Sequence, residues 1–175
     1  QSSQGETDVF LVHFSIDGTR HWTRQWGTSG TDEGFHVVVD GSENLYVTGK
    51  TDRAMDGQAA FGGSDAFLTR YSAEGVKIWT RQWGSSQDDT GRYVQVDSGG
   101  QVYVTGEVMG PLDGLPSFGS EDIFLIRYTS GGVKSWSRVW GTSGSDVGLS
   151  VTLKDETACF VTGVAAGSLD DSITM

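Results

Sequence analysis

Aspartates that could hold a cation recur at a fixed interval of 57 residues along this 175-residue chain. Two such series are present: Asp32, Asp89, Asp146 and Asp56, Asp113, Asp170. Ca²⁺ takes six to eight oxygen ligands, including carboxylates and backbone carbonyls, so clustered aspartates are one way to build its site. The structural alternative is that each carboxylate closes a turn by accepting hydrogen bonds from backbone N–H groups. Both interpretations remain open for these six residues.

A second set of polar residues repeats with the same spacing and could form a ligand-binding face. Its members are Ser29, Ser86, Ser143, Asp65 and Asp122. In the strand order derived below, the loops that carry this set and the two aspartate series open on one face. That arrangement predicts a glycan-binding surface, with turn closure again as the structural alternative.

Tryptophan and arginine alternate in three segments, which read WTRQWG twice and WSRVWG once. Residues two apart lie on the same face of a β-strand. If exposed, such a face is a platform for sugars or aromatic ligands; if buried, the guanidinium packs against the indoles in a cation–π contact. Because every copy keeps the pattern, we expect it to pack successive units together. The residues concerned are Trp22, Arg24, Trp26, Trp79, Arg81, Trp83, Trp136, Arg138 and Trp140.

Residues typical of catalysis do not gather in any recognisable motif. His13, His21 and His36 fall at unrelated positions of the repeat, which argues against a zinc site. Cys159 lies in a strand-like run and is expected to be a small buried hydrophobe. No G-x-S-x-G motif is present, so we predict a protein that is not an enzyme.

The elements that position these residues follow from the repeat itself. When residues 8–64 are aligned with 65–121 without gaps, 25 of 57 positions are identical. We therefore divide one domain, 1–175, into three copies at 8–64, 65–121 and 122–175. Within each copy the apolar residues alternate with period two, which predicts four short antiparallel strands. A four-stranded unit repeated at this interval is typical of a β-propeller blade, and the predicted fold class is all-β.

Strand order can be predicted as well. We assign strand A to 35–40, 92–97 and 149–154, strand B to 45–49, 102–106 and 159–163, and strand C to 9–15, 66–72 and 123–129. The Trp-Arg-Trp strand is then D, the outermost. The chain begins with a C-D half blade, runs through two whole blades and ends with an A-B half blade.

Three blades do not close a ring, since propellers have about four to eight. Unpaired strands at both ends favour completion by another protein chain, by a second copy that makes a six-bladed ring, or by further blades of a longer polypeptide.

The repeat also resembles a known family. The segments GTSGTDEGFHVVVDGSENLYVTG, GSSQDDTGRYVQVDSGGQVYVTG and GTSGSDVGLSVTLKDETACFVTG, with GGSDAFL at Gly62–Leu68, are similar to the bacterial-type beta-propeller repeats called SBBP repeats. Asp17-Gly18…Trp22 more distantly resembles the tryptophan-docking motif of quinoprotein propellers. The SBBP resemblance implies a propeller, usually in a cell-surface or secreted protein, and implies no settled activity.

Composition limits the partners. The formal net charge of −11 makes nucleic acid an improbable ligand, because phosphate binding needs a basic patch. No apolar run approaches the roughly 18 to 20 residues that span a membrane. The first residue is Gln1, which indicates a fragment or a secreted chain after signal removal. We expect an extracellular or cell-surface platform for protein contacts. The alternative is a lectin-like, glycan-binding propeller, either with or without Ca²⁺.

Overall fold

The period-two alternation folds as β-strands throughout the part of the chain that the structure describes. A computed structural model describes residues 3–155 and 157–169. Its twelve strands are β1 (Val9–Phe14), β2 (Arg20–Trp26), β3 (Asp32–Val39), β4 (Leu45–Thr51), β5 (Asp65–Tyr71), β6 (Lys77–Trp83), β7 (Asp89–Val96), β8 (Val102–Val108), β9 (Asp122–Tyr128), β10 (Lys134–Trp140), β11 (Val147–Lys154) and β12 (Ala158–Val164). Each pairs antiparallel with its neighbour in the sheet. The all-β prediction is confirmed.

The strands form four sheets, two of them whole and two of them half. The orders β3-β4-β5-β6 and β7-β8-β9-β10 are four-stranded blades, A to D in sequence. The hairpin β1-β2 is a C-D half blade, and β11-β12 is an A-B half blade. The predicted half blades at the two ends are therefore present.

The A strands begin earlier than the sequence predicted. The first was expected to start at residue 35, but Asp32 already pairs with Thr51 and Glu33 with Lys50. The ladder then continues across a β-bulge between Gly34 and His36. Bulges at the same position interrupt β7 and β11. The bulge hid the start of the strand, because one extra residue breaks the alternation of side chains.

The cores lie between successive sheets. One cluster joins the first hairpin to the first whole blade and contains Val9, Leu11, Trp26 and Phe67. A second joins the two whole blades, and a third joins the second blade to β11-β12. The A strands β3, β7 and β11 contact one another across blades, whereas β2, β6 and β10 pack mainly within their own sheets. Strand A is therefore innermost and strand D outermost, as predicted.

Within residues 3–155 and 157–169, no helix has the length and apolar character needed to cross a membrane.

Candidate functional site

The first Trp-Arg pair binds the turn of the following blade. The indole N–H of Trp22 donates to the Ala73 carbonyl at 3.2 Å. The Arg24 guanidinium donates from Nε to Gly75 O at 2.6 Å and from Nη2 to Glu74 O at 2.9 Å. It also lies 5.1 Å from the centre of the Trp22 ring. We call such a Trp-Arg pair a socket, and the C-D turn that it holds its plug.

The second copy repeats the contact with the same chemistry. Trp79 donates to Ser130 O at 3.0 Å, and Arg81 donates to Gly132 O at 2.7 Å. Gly132 has φ of 77°, and a Cβ there would stand 3.0 Å from the Trp79 ring. Glycine therefore fits this plug for two reasons, a left-handed backbone and close contact with the indole.

The last tryptophan of each segment packs on aromatic residues of the next blade. The Trp26 ring lies 5.0 Å from that of Tyr71. Trp83 lies 5.6 Å from Tyr128 and 5.9 Å from Phe124, and it is only 3% exposed. In the first two copies these residues thus lie between blades, not on a free surface.

The third socket and the first plug have no counterpart within the described residues. Arg138 still stacks on Trp136, 5.6 Å from its ring centre, but the structure describes no further C-D turn. At the other end, Ser15 O accepts from Gly18 N at 2.9 Å, the same turn geometry as Ser72–Gly75. Nothing lies within 4 Å of a Cβ on Gly18, and Ile16 is fully exposed. Within residues 3–155 and 157–169, one socket is therefore open and one plug unbound.

Each D-A loop is closed by a buried aspartate. Asp89 is 1% exposed; its Oδ2 accepts from Ser85 N at 2.5 Å and its Oδ1 from Met109 N at 3.2 Å. Asp32 and Asp146 accept in the same way from the residues four positions before them. The turn-closing interpretation describes these contacts.

A second carboxylate faces each of these aspartates across a glycine, and Asp65 and Asp122 of this series are buried. Asp65 Oδ2 accepts from Phe61 N at 2.9 Å and from Gln82 Nε2 at 2.7 Å. Its Oδ1 is buried and has no hydrogen-bond partner in the described part of the chain. That atom and Asp89 Oδ2 would both contact a Cβ on Gly84. The pairs Asp8–Asp32 and Asp122–Asp146 repeat the arrangement around Gly27 and Gly141.

Burial controls the ionisation of the central pair. Desolvation, with a smaller contribution from the neighbouring Asp65, raises the pKa of Asp89 from 3.8 to about 6. Asp89 therefore keeps its proton to a higher pH in the folded protein than in the unfolded chain. Its contribution to the free energy of unfolding is fully present below pH ~4 and is lost as the pH rises to about 6.

Asp65→Asn is expected to weaken this pH dependence without disrupting the fold. The new amide nitrogen in the place of Oδ1 would donate to Asp89 and stabilise its charged form, while the remaining oxygen still accepts from Phe61 and Gln82. The raised pKa of Asp89 corresponds to a fall of at most about 3 kcal/mol in the free energy of unfolding between pH 4 and pH 7. We expect the free energy of unfolding of the variant to fall by less than half of that amount over the same pH range. Urea unfolding at a series of pH values, in buffers containing EDTA, measures this pH dependence.

Asp65→Ala is the matched control. It removes the acceptor of the Phe61 and Gln82 bonds and should destabilise the protein at every pH. A pH profile for Asp65→Asn identical to that of the parent protein would contradict the paired arrangement.

Comparison with known proteins finds a family match for part of the first copy. Residues 21–53, from the first socket through β4, match the model of the SBBP beta-propeller repeat. This stretch is an SBBP repeat. The two later copies share its glycine, aspartate and tryptophan positions at the 57-residue step.

Two longer proteins are similar to this chain. "Regulatory protein FlaEY" of Caulobacter vibrioides is 27% identical over 144 residues, which cover 75% of this chain and 15% of that protein. An uncharacterized WD repeat-containing protein of Acanthamoeba polyphaga mimivirus is 22% identical over 174 residues, covering 83% of this chain and 12% of that protein. The chain thus spans less than a sixth of the length of either relative.

The other aspartate series contacts the outer strands. Asp56 accepts from Lys77 Nζ at 2.8 Å and from Thr80 Oγ1 at 2.6 Å. Asp113 accepts from Lys134 and Ser137 in the same way. Asp170, the third member, lies outside the described residues. The structure thus brings Asp32, Asp89 and Asp146 together with Asp8, Asp65 and Asp122, and not with the Asp56 series.

No three Asp, Glu, His or Cys side chains converge on a point that could hold a metal ion in residues 3–155 and 157–169.

The serines of the predicted ligand face lie at the exposed tips of the D-A loops. Ser29, Ser86 and Ser143 are all exposed. The hydroxyls that help close these loops belong to the preceding repeat position instead, where Ser85 Oγ donates to Asp89 at 3.1 Å. Thr28 and Thr142 act in the same way. The sequence signal was present, because a hydroxyl residue stands four positions before each of these aspartates.

Histidine contacts were not predictable from repeat position. The His13 and His21 rings lie 4.7 Å apart across the first hairpin. His36 stacks on Tyr93 at 3.6 Å between adjacent A strands, and burial lowers the pKa of His36. These pairs exist because strand register joins positions that are distant in the repeat.

Proposed function

We infer that this chain is a non-enzymatic propeller module that takes further propeller strands at its two open edges and serves as a rigid platform for protein contacts, in an extracellular or cell-surface assembly. The observation that supports it best is the repeated socket and plug. Two internal junctions use the contact, and among the described residues the Trp136–Arg138 socket and the Ser15–Gly18 turn have no counterpart.

The open edges are also apolar. Phe10, Phe14 and Phe160 are 71%, 56% and 58% exposed. Val37 and Val39, on the A strand next to the first hairpin, are 45% and 56% exposed. Exposed aromatic and branched side chains along unpaired strands are typical of a surface that another protein element covers.

The position of the conspicuous polar residues favours a structural role over catalysis. The aspartates close loops or pair with lysines, and the arginines of the first two copies bind backbone carbonyls. The names of the two relatives, a regulatory protein and a WD repeat-containing protein, also support an interaction role.

Appending a C-D hairpin to the end of the chain is expected to stabilise it. A second copy of residues 8–26, joined after Met175 through a Gly-Gly-Ser linker like that of Gly62–Ser64, restores the 57-residue spacing. It would supply a plug for the open socket and a partner strand for β12. We expect a gain of about 3 kcal/mol or more, because burial of each aromatic side chain contributes about 1.5–3 kcal/mol. Denaturant unfolding at low protein concentration measures the gain.

The control is the same fusion with Phe10→Asp and Phe14→Asp in the appended hairpin only. It should show little gain, since the strand is present but its apolar face is not. If the unmodified hairpin adds no stability, the open edges do not take propeller strands and the proposed function is wrong.

Glycan binding at the loop face is the second candidate, supported by the exposed serine row. The hydroxyls of Ser29, Ser86 and Ser143 make no hydrogen bond to any described residue, which leaves them available to sugar hydroxyls. A glycan array probed with and without EDTA tests this candidate. Binding that EDTA abolishes would support Ca²⁺ at the aspartate loops, and no binding in either condition would remove the glycan-binding hypothesis.

A further inference from the structure

A cavity of about 230 Å³ opens between the two whole blades. One wall is formed by β6 of the first whole blade and includes Arg81. The other wall comes from the second whole blade and includes Leu112, Tyr128 and Lys134. Pockets for drug-sized ligands have volumes of roughly 300–1,000 Å³, so this smaller cavity fits a ligand of about one ring. Because both walls belong to whole blades, the cavity does not depend on the half blades.

An aromatic ring stands at the edge of this cavity. Phe61 lines the cavity and is 51% exposed. Its backbone is held in place, because its N–H donates to Asp65 Oδ2 at 2.9 Å, and a Cβ on Gly62 would stand only 2.3 Å from the backbone of Ser86. Gln4 occupies the equivalent position 57 residues earlier, so the repeat does not require an aromatic residue there. The ring is thus a fixed apolar plate that a ligand can reach.

A carboxylate lines the same cavity on a tight turn. Asp113 follows Leu112, which exchanges two backbone hydrogen bonds with Leu115, at 2.8 and 3.2 Å. Asp113 has φ of 54°, a left-handed conformation that is uncommon for residues other than glycine. Both of its oxygens accept from Lys134 Nζ, at 2.5 and 2.7 Å, and Oδ2 also accepts from Ser137 Oγ at 2.8 Å. The turn and the ion pair therefore fix the carboxylate, and Oδ1 retains a lone pair for a ligand hydroxyl.

Two donors that line the cavity retain unused N–H or O–H groups. Arg81 donates from Nε to Gly132 O and from Nη1 to Thr80 O, both at 2.7 Å. Its Nη2 has no hydrogen-bond partner in the described part of the chain, and the Tyr128 hydroxyl has none among residues 3–155 and 157–169. Unpaired donors beside a fixed acceptor are suited to a ligand that carries several hydroxyls.

We propose that this cavity binds a single pyranose ring of a neutral glycan. The C–H face of the sugar packs on the Phe61 ring, as apolar surfaces pack on aromatic side chains. The sugar hydroxyls donate to Asp113 and accept from Arg81 and Tyr128. Because a carboxylate and two cations line the cavity, a charged ligand of either sign meets a like charge, whereas a neutral polyol meets none.

The proposal rests on the glycan-binding candidate and gives it a site between two blades in place of the exposed serine row. It does not involve the open edges of β1 and β12. The module function and the cavity therefore stand or fall separately.

NMR measures the binding directly. The 175-residue chain is titrated with a panel of methyl pyranosides of glucose, mannose, galactose and N-acetylglucosamine. At least one of them should bind, which is detected as saturation transfer from the protein to the sugar C–H protons. Phe61→Ala should weaken that binding about tenfold or more, because the aromatic plate is lost. Asp113→Asn keeps a short polar side chain that tolerates the left-handed turn and should also weaken the binding.

Phe118→Ala is the matched control. Phe118 occupies the same repeat position as Phe61, is 48% exposed and has the same backbone hydrogen bond to an aspartate, but it does not line the cavity. This variant should bind the same pyranoside with unchanged affinity. Both phenylalanine variants should keep the β-sheet circular dichroism of the parent chain, since the exposed rings contribute little to its core. Equal weakening in both variants, or no weakening in Phe61→Ala, would overturn the assignment.

A triple variant, Ser29→Ala with Ser86→Ala and Ser143→Ala, separates the cavity from the loop face. It should bind the pyranoside as the parent chain does. If it loses binding while Phe61→Ala keeps it, the glycan-binding candidate stands at the serine row and the cavity proposal is wrong. Failure of every pyranoside to bind would also overturn the cavity proposal, and if the glycan array shows no binding either, both fail together.

Discussion

Replacing Trp83 by alanine is expected to lower the free energy of unfolding by about 3–5 kcal/mol, the range for a large buried aromatic side chain. Trp83 is 3% exposed and packs on Phe124 and Tyr128 of the next blade. Its loss would leave a cavity at the junction of the two whole blades. Urea unfolding measures the change. It is monitored by the circular dichroism of the β-sheet, a signal that does not depend on the tryptophan that is removed.

Trp140→Ala is the matched comparison, because the residue type and repeat position are the same. In dilute protein its cost should be less than half that of Trp83→Ala, since Trp140 packs on the cluster of Tyr103, Leu125 and Val151 and meets no C-D aromatic of a following blade within the described residues. In the hairpin fusion, which supplies that aromatic face, the cost should rise toward the Trp83 value. Equal costs for Trp83→Ala and Trp140→Ala in the dilute parent chain would contradict the packing role assigned to the last tryptophan.

Gly106→Ala is expected to lower the free energy of unfolding by about 3 kcal/mol or more, which is at least the cost of a typical overpacked core substitution. A Cβ at this position would stand 1.8 Å from the carbonyl oxygen of Thr90 and 3.0 Å from the backbone of Arg92. Both neighbours belong to the bulged segment of β7, so relief requires moving the backbone of the innermost strand. Thermal unfolding measures the loss.

Gly41→Ala controls for the general effect of removing a glycine. Nothing lies within 4 Å of a Cβ on Gly41, and the residue is exposed in a turn. Its unfolding temperature should change by little in either direction. A Gly106→Ala protein as stable as Gly41→Ala would mean that β7 and β8 do not approach as closely as described.

The architecture was largely predictable because it depends on two periodicities. The period of two placed the strands, and the 57-residue period placed Trp22, Trp79 and Trp136 on the same strand of successive units. From these the A-B-C-D order and the half blades at both ends followed. The early start of β3 at Asp32 was not predictable, because the bulge after Gly34 interrupts the alternation on which strand prediction depends.

The site was predictable only in part. The repeat indicated that Trp22 and Arg24 face a neighbouring blade, but it could not indicate what they bind. Their partners are backbone carbonyls, which every residue possesses, so no side-chain pattern marks them. The pairing of Asp65 with Asp89 was hidden for another reason. The two lie 24 positions apart and meet only because the D-A loop folds over the start of β5, with Gly84 leaving room between them.

Amide hydrogen exchange at the outer edge of β12 tests the central claim that β11 and β12 form an open half blade. The parent chain and the hairpin fusion are compared at the same low concentration. Amides of β4 and β8, which are paired on both sides, should be protected in both proteins. In β12, the amides that point away from β11 should exchange freely in the parent chain and become protected in the fusion. Protection of those amides in the dilute parent chain, or no change on adding the hairpin, would contradict the open half blade.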